Sequence, residues 1–219
     1  MIDVAGISVA DVKLVDILRK ELLLSKDMLI DTISVLRNIE KGKGKDARKT
    51  IEEIRKRRTD IEEMQVEYVS YLSKISRSIV HREDWLRIGS KISNISDRLS
   101  GISYRLDFLI EKDWKVPPDI IEHLVKIGMG LEEMMKKFEL ILSETTNDPE
   151  LALAKLKEIR HRETLIDSAY REALFTILDS NISYNSTLLL LNVAEMLEEN
   201  SDTLNEAAND LYIVLIDMV

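Results

Sequence analysis

The residues of this chain best suited to chemistry are carboxylates spaced four positions apart. Glu163 precedes Asp167 by four residues, and Glu198 precedes Asp202 by four. Side chains at that spacing share a helix face, where a like-charged pair costs roughly 0.2–0.5 kcal/mol of helix stability. At about 100° per residue, Glu163 also lies close to the apolar stripe of its segment. If the two segments pack antiparallel, four carboxylates meet, and a cation or basic side chains must balance them.

The chain has no cysteine, so any such ion must be held mainly by oxygen ligands. The missing thiols exclude a disulfide framework, a Cys-ligated zinc site, an iron–sulfur cluster and thiol catalysis. The four carboxylates therefore predict an oxygen-ligand metal site, although a solvated acidic face is the alternative for either pair alone.

The histidines offer a second chemistry. Glu158 and His161 have the Glu-x-x-His spacing of di-iron carboxylate bundles, which are also built from long helices. Such sites need a second copy of the motif, and neither His81 nor His123 has a glutamate three positions before it. A ferritin-like protein is therefore a lesser alternative. With no glycine-rich phosphate loop and no nucleophile elbow, the sequence predicts a non-enzymatic protein.

Composition restricts the elements that can position these residues. Of 219 residues, 45% are hydrophobic, 5% aromatic and 32% charged, with seven glycines and three prolines. So few turn formers argue against a sandwich or barrel. The net charge of −9 argues against nucleic-acid binding. We expect a cytoplasmic protein, because no signal peptide or 18-residue apolar span is evident. The single glutamine and the abundant Ile, Lys and Glu suggest a thermophile.

Apolar residues recur every seven positions, which predicts an all-α protein of six long antiparallel helices. The segments are separated by Lys41-Gly42-Lys43-Gly44-Lys45, by Pro117-Pro118 and by the turn Thr145–Pro149. The basic loop is interpreted as a solvated linker, with an anion or a membrane surface as the alternative. The predicted segments cover approximately residues 9–40, 46–78, 82–112, 118–143, 149–179 and 184–218.

The six segments are predicted to be a tandem repeat of two three-helix bundles. An offset of 105 residues superposes Ser96-Asp97 on Ser201-Asp202 and Glu53–Arg57 on Glu158–Arg162. The same offset places the apolar stripe that begins at Trp85 on the stripe that begins at Leu190. We therefore predict a single domain over residues 1–219, with repeat one at about 9–112 and repeat two at about 118–218.

These motifs resemble those of the PhoU-like proteins, in which Glu-x-x-x-Asp occurs twice per three-helix repeat. The segments His81–Asp84, Ile95–Leu99 and Arg162–Leu174 are similar to the relatives that accompany Pit-type phosphate transporters. The resemblance implies a cytoplasmic six-helix regulator of phosphate transport, dimeric or larger. It implies acidic motifs that hold divalent or trivalent metal ions such as iron, zinc or magnesium. It also implies cytoplasmic segments of a Pit-type transporter as partners, and a peripheral location at the inner face of the membrane.

The family pattern is matched in repeat two by Glu163, Asp167, Glu198 and Asp202, and is degenerate in repeat one. At the internal offset, Arg58 replaces Glu163, Glu62 replaces Asp167 and Ser93 replaces Glu198, whereas Asp97 matches Asp202. An arginine can neutralise those acids without a metal. We predict that the first-repeat site is absent or replaced by a salt bridge. A metal-free helical scaffold that binds partner helices is the main alternative function.

Overall fold

A computed structural model describes residues 8–75 and 79–219. Within those ranges it has no β-strand, and the all-α prediction is confirmed. The elements are α1 (Val9–Glu40), α2 (Gly44–Lys74), α3 (Arg82–Glu111), α4 (Pro118–Thr145), α5 (Pro149–Lys155), α6 (Lys157–Asp179) and α7 (Tyr184–Ile216). Five of the six long helices follow the predicted segments to within a few residues. The predicted end of the second segment at residue 78 lies outside the described ranges.

Helix ends carry the expected local signals. Ser8 caps α1 through a capping box, in which its side chain accepts a hydrogen bond from the Asp11 N–H and the Asp11 carboxylate accepts one from the Ser8 N–H. Gly42 has a φ of +67° in the α1–α2 turn, a conformation that favours glycine. Pro118 begins α4, where its missing N–H has no cost.

The fifth predicted segment is wrong in one respect, because the structure divides it at Leu156 into α5 and α6. The Leu156 N–H donates to the Leu153 carbonyl at 3.4 Å, and the Ile159 N–H donates to the Leu156 carbonyl at 3.0 Å. These three-residue hydrogen bonds tighten the chain locally and interrupt the regular α-helical pattern. The heptad stripe continues across this break, so periodicity alone could not reveal it.

The long helices form two three-helix bundles. In the first, α1, α2 and α3 pack against one another, and in the second, α4, α6 and α7 do the same. The bundles meet where α1 contacts α4 and where α3 contacts α7. The buried apolar side chains form one continuous core through both bundles. The predicted repeat boundaries, 9–112 and 118–218, stay a prediction.

Gly89 on α3 lies directly beneath the ring of Tyr68 on α2. A Cβ atom at Gly89 would lie 2.8 Å from Cδ1 of that ring. Tyr68 is fully buried, and its hydroxyl donates to the Trp85 carbonyl, so the ring cannot move without losing this bond. We expect Gly89→Ala to lower the free energy of unfolding by about 1–3 kcal/mol, as overpacking does, measured by urea denaturation.

Gly101→Ala is the matched control on the same helix. Its Cβ would meet the terminal Cε of Met196, a flexible side chain that can swing away. We expect this variant to be neutral or up to about 1 kcal/mol more stable, because alanine favours a helix. Equal losses in both variants would contradict this account of the Tyr68 contact.

Candidate metal centre

The second bundle brings predicted acidic residues together between α6 and α7. One carboxylate oxygen each from Glu163, Asp167 and Asp202 can be chosen so that all three lie within 4.8 Å of one another. Glu163 and Asp167 are half-buried, whereas Asp202 is exposed. We call these three residues the acidic cluster. Three oxygens at that separation can approach a common metal ion, since Mg²⁺ and Ca²⁺ are bound by oxygen at about 2.0–2.6 Å.

Glu198, the fourth predicted ligand, lies beside the acidic cluster but is not one of its three members. Burial raises the pKa of Glu198 to about 7, with further increases from the charges of Asp202 and Asp167. It is therefore close enough to sense both carboxylates. Were an ion bound at the acidic cluster, Glu198 would be placed to act as a fourth ligand or as a protonated neighbour of the ion.

Electrostatic crowding is evident across the cluster. Burial raises the pKa of Glu163, and the nearby charge of Asp167 raises it further. The pKa of Asp202 is raised by burial and by Asp167, while Arg98 opposes part of that increase. Carboxylates with raised pKa values gain most from a cation, which removes the repulsion among them.

The degenerate site of the first bundle has a different chemistry. Arg58 forms salt bridges with Asp97 and, at 3.1 Å, with Glu62. At the internal offset, the Arg58–Asp97 contact corresponds to the proximity of Glu163 and Asp202 in the second bundle. A guanidinium group therefore occupies the first bundle where carboxylates meet in the second.

Glu21 on α1 is a further candidate residue, one that was not predicted from the sequence. It is fully buried, and neither of its carboxylate oxygens has a hydrogen-bond partner among the described residues. Burial raises the pKa of Glu21 to about 8, although the charge of Arg58 opposes the shift. The missed signal is seven-residue spacing, because Glu21 lies midway between Leu14 and Met28, which are also fully buried.

A ladder of opposite charges joins α3 to α7 beside the acidic cluster. Arg98 contacts Glu199 at 3.1 Å and donates to the Thr203 hydroxyl at 2.8 Å, and Lys91 contacts Asp210 at 2.7 Å. An open groove of about 380 Å³ lies along this ladder, and Asp202 forms part of its lining. Asp202 thus belongs both to the acidic cluster and to the seam between the two bundles.

The structure does not place the histidines around a di-iron site. His161 is exposed, and Glu158 forms a salt bridge with Lys137. His81 lies 2.9 Å from Asp217, and His123 lies 4.0 Å from Glu172. Glu158 of the Glu-x-x-His match thus forms a separate ion pair at the surface.

Solved structures with the same architecture are PhoU-like. A PhoU-like phosphate regulatory protein from Shewanella oneidensis MR-1 matches with a TM-score of 0.79 at 14% identity, covering 93% of this chain and 99% of that one. A second PhoU-like protein from that organism has a TM-score of 0.76 at 15% identity, with 93% and 96% coverage. PhoU from Pseudomonas aeruginosa has a TM-score of 0.63 at 16% identity, with 96% and 99% coverage.

No protein-family model and no curated protein sequence matches the chain. In the ranges that the structure describes, no helix is both long enough and apolar enough to cross a membrane. The structural similarity extends over nearly the full length of the chain and of the three solved proteins. The chain therefore has the PhoU-like fold that its motifs predicted.

Proposed function

We propose that this protein is a non-enzymatic, metal-binding regulator of phosphate transport. It acts at the cytoplasmic side of a phosphate transporter of the Pit type, whose cytoplasmic segments are its partners, and it forms a homo-oligomer. Two similar structures are described as a phosphate regulatory protein and as PhoU, which supports the regulatory part of the proposal.

The observation that carries the proposal is the acidic cluster on the PhoU-like fold. Three carboxylates from two helices converge there. The raised pKa values of Glu163 and Asp202 arise from burial and from repulsion by neighbouring acids, Asp167 above all. If these carboxylates had a purely structural role, they would be paired with basic side chains, as Asp97 is paired with Arg58 in the first bundle. A divalent or trivalent cation such as iron, zinc or magnesium supplies the missing positive charge.

A bound ion would give the acidic surface a regulatory use. It would remove the repulsion between α6 and α7 and present open coordination positions to an anion or to a carboxylate of the transporter. A plain helical scaffold, the main alternative, needs no ion and would retain its activity without one. Metal dependence of regulation therefore separates the two functions.

The test is phosphate uptake by cells that express a Pit-type transporter together with this protein. We expect the wild-type chain to change the uptake rate and Glu163→Gln/Asp202→Asn to lose that effect, because the variant lacks two ligands. Asp97→Asn, at the equivalent place in the first bundle, is the matched control and should act like the wild type. Uptake that is the same with and without the wild-type chain would contradict regulation, and full activity of the double variant would favour the scaffold.

A further inference from the structure

One end of the molecule carries a strongly basic turn, although the chain as a whole has a net charge of −9. The turn between α1 and α2, which we call the lysine turn, presents Lys41, Lys43 and Lys45, all of them exposed. Residues 37–49 contain six basic and two acidic residues. These three lysines have no ion-pair partner in the part of the chain that the structure describes. Their charge is therefore available to an external anionic surface.

An aromatic cleft lies at the same end, between the last turns of α3 and the first turns of α7. It has a volume of about 850 Å³, and its apolar lining includes Tyr104, Phe108, Trp114 and Leu188. Tyr104 is 60% exposed and Leu188 is 57% exposed. The charged residues in the lining are both basic, Arg105 and Lys112. Three of the eleven aromatic residues of an aromatic-poor chain thus line one open cleft.

The contacts of α3 place the lysine turn and the aromatic cleft side by side. A second surface depression is lined by Lys43 and Lys45 from the turn and by Ile110 and Asp113 from the end of α3. The aromatic cleft uses the other side of the same helix end, through Phe108 and Lys112. Two of the nearby acids are paired with lysines, since Asp113 contacts Lys115 at 2.7 Å and Glu111 contacts Lys112 at 3.4 Å.

We propose that this end of the protein docks directly on an anionic lipid bilayer, with the lysine turn against phosphate headgroups and the aromatic cleft at the headgroup–acyl boundary. Tyrosine and tryptophan favour that boundary because their rings are amphipathic. Lysines near the surface are attracted by anionic lipids. The combination of exposed aromatics with basic residues fits a lipid surface better than an acidic peptide, which would not need so wide an apolar cleft.

The acidic cluster does not prevent this docking. Along α7, Asp202 lies 14 residues beyond Leu188, or about 21 Å at 1.5 Å per residue. This exceeds two Debye lengths at physiological salt, which are about 16 Å. Repulsion between the acidic cluster and the lipid headgroups is therefore screened. Docking of this kind requires neither a bound metal nor a transporter.

The two tryptophans provide an internal probe. Trp85 is fully buried in the first bundle, whereas Trp114 lines the aromatic cleft. With vesicles of phosphatidylglycerol and phosphatidylcholine we expect co-sedimentation and a blue shift of the Trp114 emission. Vesicles of phosphatidylcholine alone should bind much more weakly. Trp114→Phe should remove the emission shift while co-sedimentation continues.

Matched substitutions at the two ends of the molecule test the surface. Lys43→Glu/Lys45→Glu should weaken binding about 25-fold or more, since each basic residue is worth roughly a fivefold gain at an anionic surface. Lys13→Glu/Lys74→Glu, at the opposite end, should have little effect. Likewise Tyr104→Ser/Leu188→Ser should reduce the blue shift and the binding, whereas Tyr212→Ser/Ile213→Ser should not.

Several results would overturn the proposal. They are equal binding to neutral and anionic vesicles, equal losses in the two sets of variants, or binding only to vesicles that contain a transporter. Displacement by inorganic phosphate beyond that by sodium chloride of equal ionic strength would instead identify the lysine turn as a site for free phosphate. Glu163→Gln/Asp202→Asn should bind vesicles normally, so the failure of metal-dependent regulation would leave this result unaffected.

Discussion

Glu163→Gln/Asp202→Asn is expected to weaken metal binding by more than about 100-fold, because loss of groups that merely orient the ligands already costs 10–100-fold. The two residues supply two of the three oxygens that converge between α6 and α7. Equilibrium dialysis of chelator-free protein against iron, zinc or magnesium, followed by metal analysis, measures the loss. Metal at a hundred times its dissociation constant should stabilise the wild-type protein by about 2.7 kcal/mol, and the double variant much less.

The pH dependence of metal binding provides a second measurement on the same protein. Burial and neighbouring acids raise the pKa of Glu198 to about 7. Metal ligands must lose their protons, so the apparent affinity should rise as the pH increases through 7. Asp97→Asn is the control, because its carboxylate already contacts Arg58. A similar loss of metal from Asp97→Asn would show that both bundles bind the ion, against the predicted asymmetry.

The second large effect concerns the stability of the first bundle. As the pH rises from 5 to 8, the free energy of unfolding of the wild-type protein should fall by about 2–4 kcal/mol because of the buried Glu21. Glu21→Gln should not show this fall. The pKa of Glu21 is about 8 in the folded protein, against an ordinary value of 4.5. Between those values the folded state binds more protons than the unfolded state, so stability falls as the pH rises. Each unit of pKa difference corresponds to about 1.36 kcal/mol.

Urea denaturation at pH 5 and pH 8 checks this expectation, and comparing the pH dependence removes any constant cost of the substitution. Glu21→Met provides a second neutral variant if the amide packs poorly. Glu62→Gln is the matched control, because Glu62 also faces Arg58 but its side chain is 58% exposed. Parallel stability profiles for the wild type and Glu21→Gln would show that Glu21 is ionised in the folded protein throughout this pH range.

The helices could be predicted because their signals are local. The seven-residue stripes, the Gly42 turn and the proline at the start of α4 each act over a few residues of sequence. The interruption at Leu156 could not be predicted in this way, since its hydrogen bonds replace one helical pattern by another without changing the stripe.

Part of the candidate site could be predicted, because residue spacing indicates which side chains share a helix face and which helices pack together. Four-residue spacing placed Glu163 and Asp167 on one face, and antiparallel packing brought Asp202 to them. Which side chains lie across the bundle seam depends on rotation and register, which spacing alone does not specify. For this reason Arg98 could not be predicted as a neighbour of Asp202, nor Glu21 as a neighbour of Arg58.

Asp202 lies on the α3–α7 seam, so any ion bound at the acidic cluster would be coupled thermodynamically to the packing of the two bundles. Its carboxylate lines the groove between the bundles, and burial and Asp167 raise its pKa while the charge of Arg98 opposes part of that rise. An ion and the guanidinium of Arg98 therefore draw on the same negative charge. If an ion at the acidic cluster weakens the packing of α3 against α7, then strengthening that packing must weaken ion binding by the same factor, because thermodynamic linkage is reciprocal.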